Sequence, residues 1–380
     1  MRKRRWKSRK GAAFLAFALA LALGLSGTGL LDTHAAGPVE TDREDCTLSV
    51  DLSDLFAQIE EDYAAAGQEI QEEAAAKEVV LNLYKAADVD VSGKYTAVSD
   101  FKDAPLEKDD GGSSTFGQEL AAVDSETTAA EWEAMAAAAA AGVTEGLAPV
   151  GTRTASKAQT SVTFTALHVG LYLVVPQQLE TPYYFYNFTP YLVSVPDNDF
   201  NPDAPAGPDN TDDWVYDVET ILKWSPEVRY GDLEIIKDRD STNGVPLKAA
   251  AFVFEVSVDP LKGEDQQHMV SVIFENDPNK TTGSVTLEDL PAGSTVKVEE
   301  VYSGAGYELE SGPTPESVII IADGEAGSPV EVEFTNTVDG STNGGYGIVN
   351  NFRQGEDGEY EYTGGNVPGG QGQTGEEDEG

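Results

Sequence analysis

Three polar residues in the second half of the chain stand where apolar residues belong. Gly231-Asp-Leu-Glu-Ile-Ile-Lys237 alternates as a half-buried strand, with Leu233, Ile235 and Lys237 on one face. Val296-Lys-Val-Glu-Glu300 puts Val296, Val298 and Glu300 on one face, and Val332-Glu-Phe-Thr-Asn336 does the same with Val332, Phe334 and Asn336. An amine, a carboxyl and a carboxamide therefore each end an apolar row aimed at a core. A buried, unpaired charge costs several kcal/mol or forces its own neutralisation. The economical resolution is that the three meet and react. A neutral lysine amine attacks the Asn carboxamide, a protonated glutamic acid relays protons, and ammonia leaves an isopeptide cross-link. Burial raises the pKa of a carboxylic acid and lowers that of an amine, so a desolvated site supplies the reactive form of both. The pattern also admits a plain sandwich whose polar triad only hydrogen-bonds, or a strand slipped by one residue, which would turn its row outward.

The elements that must position these groups are strands of a β-sandwich spanning residues 231–338. Leu-x-Ile-x-Lys237, then Leu290-Pro-Ala-Gly-Ser-Thr-Val-Lys-Val-Glu-Glu300 with Gly306-Tyr307, then Val-x-Phe-Thr-Asn336-Thr resembles a Cna protein B-type domain over its whole length. The resemblance implies an Ig-like sandwich with an autocatalytic intramolecular isopeptide bond between Lys237 and Asn336, and an acid as proton relay. Glu299 and Glu300 are adjacent, a departure from the family pattern; parity favours Glu300.

Charge and export signals bound the rest. The chain has 380 residues, room for two or three domains, with 24 Lys and Arg against 67 Asp and Glu. Seven basic residues fall within Met1–Lys10, ahead of the apolar run Ala12–Leu25. That run is short for a membrane span and reads as the centre of a signal peptide over 1–36, cleaved after Ala35 or Ala36. Removing 1–35 takes away seven basic residues and one acid, so the formal charge of −43 becomes about −49. Such a balance excludes nucleic acid and anionic membranes as partners and suits an extracellular protein with no transmembrane segment in the mature chain. The single cysteine, Cys46, has no internal disulfide partner. A thioester with a glutamine is conceivable; a buried structural thiol in the first strand is the simpler expectation.

Residues 46–225 read as a second domain, mainly β with helical insertions. Cys46–Asp51 alternates as a strand, Ser53 is placed to cap a helix over Asp54–Lys77, and Val79–Lys85 is a strand. Asp100–Ser114 is a polar loop, and Thr128-Ala-Ala-Glu131 offers a capping box for a helix to about Ala141. Ser161–Leu167 and Gly170–Val175 are strands, Tyr183–Val195 is β-prone, and Pro196–Asp213 is a loop. Gly170-Leu-Tyr-Leu-Val-Val, Thr189-Pro-Tyr-Leu-Val-Ser-Val-Pro196 and Trp214-Val-Tyr-Asp-Val218 resemble the N-terminal domain of sortase-assembled major pilins of Gram-positive bacteria. In that family a lysine nine positions after the Trp attacks the sortase acyl intermediate and links subunits; here that position is Lys223. Ile221-Leu222 replaces the usual Tyr-Pro before it, and Trp224 the usual Asn after it. Pro176 stands where this domain would carry its own catalytic acid, so no isopeptide bond is expected here, and Lys85 reads as an ordinary strand-end lysine.

Residues 339–380 are Gly- and Asn-rich, then acidic. Gly355–Gly380 holds eight acids and no basic residue, a composition expected to be disordered or a linker, although Gly347–Phe352 is apolar enough for an edge strand. Polymerising members of the pilin family end in Leu-Pro-x-Thr-Gly, an apolar span and basic residues. None of these is present, which leaves secretion, another attachment route, or further sequence. His168 and His268 are far apart with no Cys near, so zinc and Ser-His catalysis have no support, and no phosphate-binding Gly loop follows a strand. Asp197-Asn-Asp199 and Asp209–Asp213 carry clustered oxygens, but a solvated acidic loop explains them better than calcium. The expectation is a non-enzymatic, secreted or cell-surface pilin-like structural protein of a Gram-positive bacterium, needing no cofactor or metal. Its partners would be sortase and other pilin subunits. The alternative is an adhesin that binds a host surface ligand on the same scaffold without polymerising.

Overall fold

The structure is a computed structural model describing residues 37–66, 77–107, 112–124, 126–198, 214–240, 247–277, 279–339, 352–354 and 360–362. The signal-peptide segment, the far half of the expected Asp54–Lys77 helix, most of the Pro196–Asp213 loop and nearly all of the tail, Gly347–Asn351 included, lie outside them. The protein is mainly β, with three helices among the described residues. None of these is long and apolar enough to cross a membrane. The chain divides into two compact units, Met1–Val228 and Arg229–Gly380.

In the N-terminal unit, strand Cys46–Asp51 lies between Ser161–Leu167, antiparallel, and Asp217–Ile221, parallel. A five-stranded sheet is built on the long strand Glu78–Val89, which pairs with Gly170–Pro176, Tyr95–Ala97 and Gly151–Ser156; Tyr191–Val195 extends it. The helices Phe116–Ala122 and Ala129–Ala141 supply Phe116, Leu120, Met135 and Ala139 to the core over this sheet. Thr128 and Glu131 form the expected capping box. A second one, Thr115 with Gln118, starts a helix the sequence reading passed over. Ser53 is not the cap of its helix. The helix Ser53–Ala65 begins at Ser53 itself, and the Asp51 carboxylate accepts both the Ser53 N–H (2.9 Å) and hydroxyl (3.0 Å). The expected Asp100–Ser114 loop also contains part of a small hairpin, Pro105–Glu107 with Ser113–Thr115.

Apart from a short strand pair, Phe352–Gln354 with Tyr360–Tyr362, the described part of the C-terminal unit is an Ig-like sandwich of two four-stranded sheets. One runs in the order Thr282–Pro291, Tyr230–Asp240, Val330–Val338, Tyr307–Thr314. The other runs Gln266–Phe274, Ala250–Asp259, Thr295–Tyr302, Val318–Ile319. Alternation in each strand sends Leu233, Ile235, Phe252, Phe254, Val256, Val296, Val298, Val332 and Phe334 into one core between the layers. Gly231 is required where the first strand crosses the chain near Ile321: a Cβ there would meet the Ile321 carbonyl oxygen at 1.9 Å.

Candidate cross-link site

The first and last strands of the sandwich, Tyr230–Asp240 and Val330–Val338, are neighbours and run parallel. Leu233 pairs with Val330, Ile235 with Val332, Lys237 with Phe334 and Arg239 with Asn336. The side-chain period of two therefore puts Lys237 and Asn336 on the same inner face. In the facing sheet Thr295–Tyr302 pairs antiparallel with Ala250–Asp259, Phe254 opposite Glu300 and Glu255 opposite Glu299. Glu299 is exposed, whereas the Glu300 side chain is wholly buried.

Lys237, Glu300 and Asn336 thus come together across the two layers. The Lys237 and Asn336 residues are both 0% exposed. Asn336 Nδ2 donates to Glu300 Oε1 at 2.6 Å and to the Ser303 carbonyl at 3.3 Å. Lys237 Nζ stands 3.6 Å from Glu300 Oε2, donates to the Asp238 carbonyl at 2.9 Å and lies 4.9 Å from the Phe252 ring centroid. Burial pulls the Lys237 amine down from 10.5 to about 8, against the opposing pull of Glu300 and Asp238. Glu300 Oε2 and Asn336 Oδ1 are buried without a hydrogen-bond partner. Two unsatisfied oxygens beside a fully buried amine are costly as a resting hydrogen-bond network. They are the atoms a proton transfer or an attack on the carboxamide would engage.

The walls are aromatic. Phe254 and Phe334 pack with ring centroids 4.8 Å apart, and Phe252 meets Phe274 and Tyr307 edge-on at 5.7 and 5.5 Å. Sequence reasoning passed over Phe252 and Arg239. Arg239 continues the parity of Lys237, so the signal was present; Phe252 sits on a strand whose pairing is not local in sequence.

The other residues singled out are elsewhere. Lys223 is exposed between strands Asp217–Ile221 and Trp224–Val228, following buried Leu222. Trp224 meets Tyr186 edge-on at 5.5 Å. Trp214 Nε1 donates to the Gly37 carbonyl at 2.7 Å, and the Tyr216 hydroxyl accepts the Glu40 N–H at 2.9 Å. Lys85 forms an ion pair with Asp88 at 2.7 Å, and Cys46 is buried in the first strand. Asp197 and Asn198 pair as a short strand with Val215 and Trp214; Asp199 and Asp209–Asp213 lie outside the described residues.

Residues 233–339 match one family. It is described only as a domain of unknown function, DUF5979, and the match covers less than half of the chain. No curated protein matches the sequence. Among solved structures, the chain is similar to the fimbrial protein FimP from Actinomyces oris, with 14% identity and a TM-score of 0.26 over 70% of this chain and 63% of that one. The full-length major pilin SpaD from Corynebacterium diphtheriae matches at 12% identity and a TM-score of 0.21, over 80% of this chain and 99% of that one. The Bacillus anthracis TIE protein matches at 13% and 0.27, over 86% and 42%. The chain therefore spans less than two thirds of FimP and of the TIE protein. At these identities and TM-scores the likenesses fix neither activity nor partners; the sandwich rests on its own strand pairing.

Proposed function

We propose that this chain is a secreted or cell-surface, pilin-like structural protein of a Gram-positive bacterium, locked by an autocatalytic isopeptide bond between Lys237 and Asn336. The organisation is a signal peptide over 1–36, a pilin-like domain over 46–225, the cross-linked sandwich over 231–338 and an acidic tail over 339–380. What supports the reading above all is the burial of an amine, a carboxyl and a carboxamide against one another, with Glu300 in reach of both reactants.

The chemistry follows from those groups. Turning the Asn336 amide by half a turn places its carbonyl oxygen where Nδ2 stands, so a protonated Glu300 donates to the atom it must polarise. The neutral Lys237 amine attacks the carbonyl carbon, and the proton from Glu300 stabilises the developing oxyanion. Glu300 then takes a proton from the lysine nitrogen, passes one to the departing –NH₂, and recovers the proton it lent to the oxyanion as the carbonyl re-forms. One N–C bond forms, one breaks, and ammonia leaves. Glu300 ends as it began, and the site turns over once.

Lys223 is the proposed point of linkage between subunits, supported by its exposure and by its spacing from Trp214. Two measurements test the reading. Intact mass reports whether ammonia has been lost, and co-expression with a sortase reports whether Lys223 makes detergent-resistant ladders. Cross-linked protein that stays monomeric and binds a host ligand would instead make the chain an adhesin on the same scaffold.

A further inference from the structure

Among the described residues Arg239 is the largest fully buried side chain, and its environment is unusual. Its Nε donates to the Lys280 carbonyl at 2.9 Å and its Nη2 to the Asp277 carbonyl at 2.7 Å. Nη1 donates to the Lys248 carbonyl, with the Tyr307 hydroxyl at 3.5 Å, and the guanidinium lies 4.2 Å over the Phe274 ring. Lys248, Asp277 and Lys280 are all exposed residues that turn carbonyls towards it, and the Lys280 ammonium lies 5.9 Å from the centroid of the same Phe274 ring. Among the described residues no carboxylate lies within ion-pair distance. The guanidinium cannot lose its proton, so a full positive charge is held in the core by neutral oxygens and a ring face.

Its place makes that charge consequential. Arg239 follows Lys237 by two residues on the same inner face, about 7 Å along the strand. It is also the register partner of Asn336 in the parallel pair. The clamped carbonyls belong to the segments before Ala250–Asp259 and after Gln266–Phe274, so the same side chain ties both segments at this end of the sandwich.

We infer that Arg239 is a positioning residue for the cross-link: a permanent buried cation that closes this end of the sandwich and disfavours a second positive charge on Lys237. The inference rests on the proposed isopeptide chemistry for its purpose, and on geometry alone for its effect on Lys237. The charged or titratable groups around the amine are Glu300 on the facing sheet, Asp238 and Arg239 on its own strand, and the Tyr307 phenol. Glu299, Lys248 and Asp277 are exposed, and Lys280 adds a surface cation over the Phe274 ring. Glu300 and Asp238 favour the ammonium form and burial opposes it; a fixed guanidinium on the same face acts in the direction of burial. Removing a nearby fixed cation therefore raises the titration of Lys237.

The test uses the full chain in two backgrounds. In Asn336→Ala no bond forms, so Lys237 stays free and its titration is read by NMR of ¹³C-labelled lysine. Adding Arg239→Met should raise the midpoint by about half to one pH unit, and Arg239→Gln, which keeps part of the clamp, should do the same. With Asn336 in place, refolding from urea at pH 5 to 10 and following ammonia loss by mass should give a rate profile whose rising limb, set by deprotonation of Lys237, moves to higher pH in Arg239→Met and Arg239→Gln. A slower reaction with an unmoved rising limb and an unmoved Lys237 midpoint would make Arg239 a structural clamp only and overturn the electrostatic role. If wild type never loses ammonia, the cross-link reading fails, and the NMR titration still decides whether Arg239 governs the charge of Lys237.

Discussion

Glu300→Gln isolates the contribution of the proposed cross-link. The substitution keeps the size and polarity of the buried side chain but removes the carboxyl proposed to relay protons, which should leave Lys237 and Asn336 intact and unjoined. The bond would close a loop of about 100 residues between the first and last strands. Treated as a disulfide is in the chain-entropy picture, it constrains the unfolded state by about 4–5 kcal/mol. A sandwich of roughly 110 residues has an unfolding entropy on the order of 230 cal/mol/K, so the loss corresponds to a fall in Tm of about 20 °C. Calorimetry of the full chain measures it, and the chain supplies its own control. Its 4 tryptophans, Trp6, Trp132, Trp214 and Trp224, all precede residue 229, so tryptophan fluorescence follows the N-terminal unit and identifies the transition that should not move. Glu299→Gln, on the solvent face, should leave both transitions within about 0.5 kcal/mol of wild type. A Glu300→Gln protein whose C-terminal transition stays within a degree or two of wild type would refute the reasoning.

The remaining predictions concern the amine, the walls, the backbone and the linkage. In Asn336→Ala the free Lys237 titrates near 8 when folded and near 10.5 when unfolded, so between those values the unfolded chain binds more protons and stability rises with pH. The C-terminal unit of that variant should gain about 2 kcal/mol from pH 7.5 to 9.5 relative to a Lys237→Met/Asn336→Ala control, by chemical denaturation; equal slopes would mean the amine is not desolvated. Phe252→Ala removes the ring against Lys237 and should cost about 3–5 kcal/mol while slowing ammonia loss on refolding. Gly231→Ala must displace the Ile321 carbonyl and should cost at least about 1–3 kcal/mol in the same assay. Lys223→Ala should abolish sortase-dependent ladders while leaving the loss of ammonia unchanged; ladders that persist would remove Lys223 from the linkage.

Much of the site was legible because a strand's period of two is a local property. Three apolar rows ending in Lys237, Glu300 and Asn336 could be read without knowing which strands pair, and parity separated Glu300 from Glu299. The pairing itself was not legible. The parallel contact of the first and last strands joins residues almost a hundred positions apart, and no local signal announces it. Phe252 was overlooked for the same reason: it reaches the amine from the other sheet. Arg239 was missed for a different one. An arginine at the end of a strand reads as solvated, and its burial depends on three carbonyls, two of them 38 and 41 residues away. In the N-terminal unit the Thr128 capping box was plain, but Ser53 is the first residue of its helix and not the cap, with its N–H and hydroxyl both donated to the Asp51 carboxylate.

The central claim is covalent, and mass tests it directly. The purified full-length exported protein should weigh one ammonia less than its sequence requires, with the deficit confined to a peptide pair joining Lys237 to Asn336. Lys237→Ala, Asn336→Ala and Glu300→Ala should each restore the full mass, and Glu299→Ala should not. Wild-type protein of unmodified mass would contradict the account, and a full mass in Glu299→Ala with ammonia still lost in Glu300→Ala would assign the relay to the wrong acid.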